Sequence, residues 1–272
     1  MAKSSINVPV TLVQNTQNGK LTGGDKNVTW MTTYTEVGPT CPRECWFHPD
    51  SIYADKLRAL QLKACYTKRG HVSFSVASSK FEGAYLGDGA LQYLRDEFDR
   101  IFLLHKHGRR VVDGLRWQTG GDILHPETGE PWMEYIQLIL DVIDQCVELG
   151  IPTIGFTATW RHPDVQVLRG KFHASVQTFP DAKQAIESGW TVAYAVKDIL
   201  VPEALAELRA LGARAVFCPE QAGKTDSCSN CGVCAVADMY KLHTIPGIEK
   251  YMQYRKRFVG IDIPLSIVLK NH

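Results

Sequence analysis

The chain has 272 residues, 44% of them hydrophobic, and a formal net charge of +1. Such a chain suits one large domain or two small ones with a sizeable core. Bulk charge points to no acidic partner, and leaves nucleic acid open only through a local patch. No apolar run reaches the roughly 18 residues that span a bilayer. No basic, apolar leader opens the chain. The expectation is a cytoplasmic protein with no membrane partner.

Residues 1–40 are polar and rich in Thr and Gly, and Asn27 to Tyr34 (NVTWMTTY) predicts a strand that leads into Cys41. Apolar spacing predicts helices over Ser51–Leu62 and Leu91–Leu104, with a strand between them at Val72–Val76. From there the pattern becomes regular. Strands are predicted over Val111–Gln118, Thr153–Thr157, Phe172–Gln177, Thr191–Val196 and Ala213–Phe217. Helices are predicted over Pro131–Leu149, Pro180–Ser188 and Pro202–Leu211, each followed by a Gly stop signal. Short β-branched strands alternating with helices imply a parallel sheet with crossover helices. The number of units suits a full or partial (β/α) barrel better than an open doubly wound sheet. No strand is followed by GxGxxG, and the Walker phosphate loop is missing. The expected organisation is an α/β barrel core over 1–217 and a cysteine-rich extension over 218–272.

The chain holds eight cysteines. A reducing compartment makes metal binding a better reading than disulfides. Cys218, Cys228, Cys231 and Cys234 form a C-x9-C-x2-C-x2-C run. Adjacent CxxC turns point thiolates at one centre, either zinc or a four-iron, four-sulfur (4Fe-4S) cluster. CxxCxxC fits three corners of a cubane, with Cys218 placed as the fourth ligand. Zinc remains the alternative there, with His243 as a substitute ligand. Cys41 and Cys45 (CPREC) form a second pair. Its third ligand is either His48 or Cys65, and Cys65 is preferred because thiolate ligation is the commoner chemistry. Cys146 stands alone in a predicted helix and reads as a small buried hydrophobe.

Three other stretches carry weaker signals. Lys106–Arg110 (KHGRR) reads as a solvated loop. Lys250–Arg257 (KYMQYRKR) interleaves aromatics with positive charge, a pattern that suits single-stranded nucleic acid. His162 follows a predicted strand end, where it serves either as an acid–base group or as a cap for the next helix.

The order of these features resembles the radical S-adenosylmethionine superfamily. A strand leads into CPREC, a later strand GLRWQ ends in TGGD, and a helix ending ELGIPTIGFTAT precedes FHASVQ. The resemblance covers roughly 27–220, and CSNCGVC beyond it is similar to the family's auxiliary-cluster extensions. The chain is also similar to small phage proteins with a CPxxC…CY pattern. The family's spacing is CxxxCxxC, whereas here His48 holds the third place and Cys65 is the next thiol.

The resemblance implies an enzyme with one or two 4Fe-4S clusters and an external electron donor. Cys41, Cys45 and Cys65 would hold the catalytic cluster, and Cys218, Cys228, Cys231 and Cys234 an auxiliary one. A 5′-deoxyadenosyl radical would abstract hydrogen from a small-molecule, nucleotide or nucleic-acid substrate. Gly120 and Gly121 would admit the methionine end of S-adenosylmethionine. Asp122 would pair with its ammonium group. Ser175 and Gln177 would bond its ribose or carboxylate, and Tyr66 or Phe47 would stack on adenine. The competing expectation is a non-catalytic barrel, stabilised by zinc or an iron–sulfur cluster, that binds nucleic acid or a protein partner.

Overall fold

The computed structural model describes residues 11–13, 19–35, 40–45, 48, 51–52, 55, 89–235 and 265–270. The fold is α/β with parallel sheets. Strand β1 (Thr11–Val13) runs antiparallel to β2 (Trp30–Tyr34). Strands β2, β3 (Gly114–Gly120) and β4 (Thr153–Ile154) are parallel neighbours. A second sheet holds β5 (Phe156–Thr157), β6 (His173–Val176), β7 (Val192–Val196), β8 (Ala215–Phe217) and β9 (Ser266–Lys270). Its order is β5-β6-β7-β9-β8, and every ladder is parallel.

Gly155 alone separates β4 from β5. A Cβ there would lie 2.4 Å from the Phe172 ring, so only glycine permits this close approach. The strand changes partners at that point, from β3 to β6. Among the described residues no ladder joins β1 to β8, so the arrangement is a partial β/α sheet rather than a closed barrel.

The crossover helices form where caps and stops direct them. Helix α3 (Met133–Leu149) buries an apolar stripe from Tyr135 to Cys146, and Gly150 ends it at φ 70°. Helix α4 (Phe179–Glu187) opens on Thr178, whose Oγ1 accepts from the Asp181 amide at 3.2 Å. Helix α2 (Gly89–Lys106) and helix α5 (Val201–Ala210) complete the layer. Each of these helices and the strands β2 to β8 falls within a few residues of its predicted place. Strands β1 and β9 were not expected. Strand β9 lies between β7 and β8, so the chain returns to the sheet after the cysteine run. The helix expected over Ser51–Leu62 lies almost wholly outside the described residues, and the strand at Val72–Val76 lies entirely outside them.

Alternate residues face opposite sides of the sheet. Met31, Leu115, Trp117, Ala174, Val192 and Val268 join the large core under the helices. Trp30, Ile154 and Ile267 belong instead to smaller clusters on the second face. There, Cys218, Cys231, Val233 and Leu265 pack with Ile267. Phe156, Cys228 and Cys234 pack against Leu21, Trp30 and Ile154. The cysteine-rich segment therefore covers the side of the sheet that the helices leave. Short helix α1 (Gly19–Thr22) lies against α6 (Cys228–Cys231). The Trp30 indole Nε1 donates to the Ser229 hydroxyl, which fixes that segment to β2.

Gly114 makes this seat possible, because a Cβ there would lie 2.5 Å from the Trp30 ring. Gly114→Ala is expected to destabilise the protein by about 1–3 kcal/mol through overpacking, measured by urea denaturation. An unchanged midpoint would show that the Trp30 ring shifts freely.

Candidate functional site

The first candidate site lies where β2 and β3 end. Register runs Thr32↔Arg116 and then Tyr34↔Gly120, so Trp117–Thr119 form a bulge. Gln118 at its centre has φ 49°, the sole positive-φ non-glycine residue among those described. Its amide nitrogen donates to Thr33 Oγ1 at 2.9 Å. Its side chain is 5% exposed and lies beside the Tyr135 hydroxyl. Sequence reasoning missed Gln118, because a left-handed glutamine leaves no motif. The bulge delivers the Thr119–Asp122 turn to the strand end. Gly121 follows at φ 77°, and a Cβ there would lie 2.0 Å from Thr35 Oγ1. Only glycine fits.

That turn holds the start of the first cysteine loop. The Thr35 amide donates to the Gly120 carbonyl at 2.9 Å. Thr40 Oγ1 lies 3.0 Å from Thr35 Oγ1 and accepts from the Asp122 amide at 3.0 Å. The Leu124 amide donates to the Thr40 carbonyl at 3.1 Å. Cys41 is therefore anchored one residue from a fully buried knot. Beyond it the backbone folds into successive turns. The amide of Cys45 donates to Pro42, that of His48 to Cys45, and that of Ser51 to His48. Cys41, Cys45 and His48 are each half-buried. Cys65, Phe47 and Tyr66 lie outside the described residues.

Asp122 is committed elsewhere. Its carboxylate accepts from Thr157 Oγ1 at 2.7 Å, the Ala158 amide at 2.7 Å and the Ile123 amide at 2.9 Å. It is 4% exposed. Those bonds clamp the Gly-Gly-Asp turn to the end of β5. Burial pushes the carboxyl up to about 6, and the hydrogen bonds hold it back from rising further. Ser175 and Gln177 share one face of the chain leaving β6, and Gln177 Nε2 donates to Ser175 Oγ at 3.4 Å.

The second candidate site is the C-terminal cysteine set. Ser227 caps α6 by accepting from the Asn230 amide, and Gly232 ends it at φ 66°. This single turn places Cys228 and Cys231 one helical step apart. Cys218 follows β8, its amide donating to the Val268 carbonyl at 2.9 Å. Cys234 senses Cys228, Cys218 and Cys231, and burial followed by their charges holds its thiol well above the usual range. Burial pushes Cys228 up to about 11, against the pull of Arg116 and Lys20. Cys218, Cys231 and Cys234 pack in one cluster on this face, and Cys228 and Cys234 in the next, although among the described residues no three His, Cys, Asp or Glu side chains already stand close enough to hold a metal ion. His243 lies outside the described residues.

Compared with known proteins, the chain matches no family model, no curated protein and no solved structure.

The remaining candidates separate clearly. His162 caps the 3-10 helix Pro163–Leu168, its Nδ1 accepting from the Asp164 amide at 3.3 Å. Cys146 is fully buried in α3. Lys106–Arg109 are exposed. Lys250–Arg257 lie outside the described residues.

The folded pKa of Asp122, about 6, lies above its ordinary 3.8. The folded state binds this proton more tightly than the unfolded chain does. The resulting stabilisation is complete below about pH 4 and is lost as pH rises through about 6. The stability advantage of wild type over Asp122→Asn is therefore expected to shrink between pH 4 and pH 7, by up to about 3 kcal/mol. Paired denaturation curves at the two pH values measure it. A constant gap would show that Asp122 does not titrate in this window.

Proposed function

We propose that the protein is an iron–sulfur enzyme of the radical S-adenosylmethionine type, acting on a small-molecule, nucleotide or nucleic-acid substrate. The observation that carries this reading is the knot of Thr35, Thr40 and the Gly120–Asp122 turn. Two segments far apart in sequence, one bearing the CPREC thiols and the other a Gly-Gly turn, meet at the ends of adjacent parallel strands. Ligand sites in parallel β/α folds form at such strand ends.

The donor chemistry fits the implied groups. Cys41 and Cys45, with Cys65 or His48, would hold the first cluster. Cys218, Cys228, Cys231 and Cys234 would hold the second. When bound, the first cluster and S-adenosylmethionine supply a one-electron route to hydrogen abstraction. The chain's own part is placement. Gly121 lets the turn backbone press against Thr35. Asp122 acts as a positioning residue that locks the turn to β5. Ser175 and Gln177 offer polar groups for a sugar or carboxylate.

A second reading is a structural metal. The cysteine-rich segment covers the second face of the sheet, and a zinc there would pin that cover without catalysis.

Metal and acid-labile sulfide content after anaerobic purification separates the two. The iron–sulfur reading expects about eight irons with matching sulfide. Cys45→Ala and Cys231→Ala are each expected to lose about half, and wild type to release 5′-deoxyadenosine from S-adenosylmethionine under reduction. One zinc that only Cys231→Ala removes would overturn the catalytic reading in favour of the structural one.

A further inference from the structure

Chain order and strand order part at one place in the second sheet. From β5 to β7 the chain steps one strand at a time, and α5 then carries it to β8. Both α4 and α5 bury their apolar residues in the large core on the helix side. The step from β8 to β9 runs backwards, into the place between β7 and β8. Parallel crossovers are right-handed, so a backward step has to cross on the opposite face. The stretch that leaves β8 does this. Cys218, Cys231 and Val233 pack on the second face, against Leu265 and Ile267.

The cysteine-rich stretch 218–235 is joined to β9 in three ways. Cys218 and Cys231, each 5% exposed, share one apolar cluster with Leu265 and Ile267. The Cys218 amide donates to the Val268 carbonyl at 2.9 Å. Gln221 grips the far end of the strand. Its Oε1 accepts from the Lys270 amide at 2.8 Å, and its Nε2 donates to the Lys270 carbonyl at 3.2 Å. The sheet holds β9 through short ladders, to Ala193–Val196 of β7 and Ala215–Phe217 of β8. The Lys270 ammonium adds an ion pair with Asp198 at 2.9 Å. Withdrawal of β9 would unpair both ladders and remove the floor beneath two thiols at once. Segments bound to one another in this way open together.

We infer that β9 is a latch: it docks and releases as one unit with the cysteine-rich stretch, and its docking is what shields the Cys218 and Cys231 thiols. Gln221 is the positioning residue that fastens it. By linkage, a reagent that reaches these thiols only in the open form draws β9 out of the sheet. The latch does not rest on the proposed function.

The test compares wild type, Gln221→Ala and Gln221→Glu, the last keeping an acceptor for the Lys270 amide but losing the donor. Hydrogen exchange read by mass spectrometry follows residues 218–235 and 266–270. Alkylation with iodoacetamide, in the presence of a chelator and mapped by peptide mass, follows Cys218 and Cys231. Cys146, fully buried in α3 under the other face, is the internal reporter of global unfolding. Gln221→Ala is expected to speed exchange in both stretches and alkylation of both thiols by about tenfold. Gln221→Glu should fall between it and wild type, and Cys146 should react no faster. In wild type, alkylating Cys218 and Cys231 should speed exchange across 266–270. Exchange of β9 that rises without faster alkylation would overturn the latch, as would unchanged rates in both readouts. Should Gln221→Ala fail to fold, wild type decides alone: Cys218 and Cys231 reacting only in step with Cys146 would show that global unfolding exposes them, and the latch would fall.

Discussion

A parallel sheet has to be covered on both faces, because its strands carry apolar side chains on each. Among the described residues four crossover helices cover one face, as β/α connectivity dictates. Among the described residues, the other face is closed by the cysteine-rich stretch 218–235, whose only helix is the single turn α6. Cys218, Cys231, Val233 and Leu265 pack on Ile267, and Cys228 and Cys234 pack on Trp30 and Ile154. The cysteine run is thus part of the core before it is anything else.

The first candidate site depends on a different device. Strands β2 and β3 fall out of step at a bulge and pair again at Tyr34↔Gly120, so the ladder delivers Gly121 and Asp122 to the strand end. Three hydroxyl groups, from Thr35, Thr40 and Thr157, then tie that turn to the loop before Cys41 and to the end of β5. Short polar side chains serve well in this role. They satisfy buried amides and carbonyls where three segments converge beyond the end of the β2–β3 ladder. On β2 the two candidate sites are separated by Trp30 to Thr35, about 16 Å of extended chain.

The β/α repeats were legible in the sequence because their signals are local. Thr178 caps α4, Gly150 and Gly212 follow α3 and α5, and β-branched runs mark the strands. Strand β9 was not, because SIVLK is short and its place between β7 and β8 depends on partners far away in the chain. Asp122 was read as a partner for a cofactor ammonium, yet Thr157, Ala158 and Ile123 occupy its carboxylate. No local pattern announces contacts across 35 residues. Gln118 and Arg116 looked like ordinary strand residues, and only the bulge and the face of the sheet distinguish them.

The sequence by itself determined the crossover helices and the strands β2 to β8, with their order, since these follow from periodicity, capping residues and glycine stops along one backbone. The tertiary structure alone decided which segments meet: Thr40 with the Gly-Gly-Asp turn, CSNC with Trp30, and Arg116 with the Phe156 ring. Those meetings are set by packing and buried hydrogen bonding between residues remote in sequence, and no local propensity encodes them.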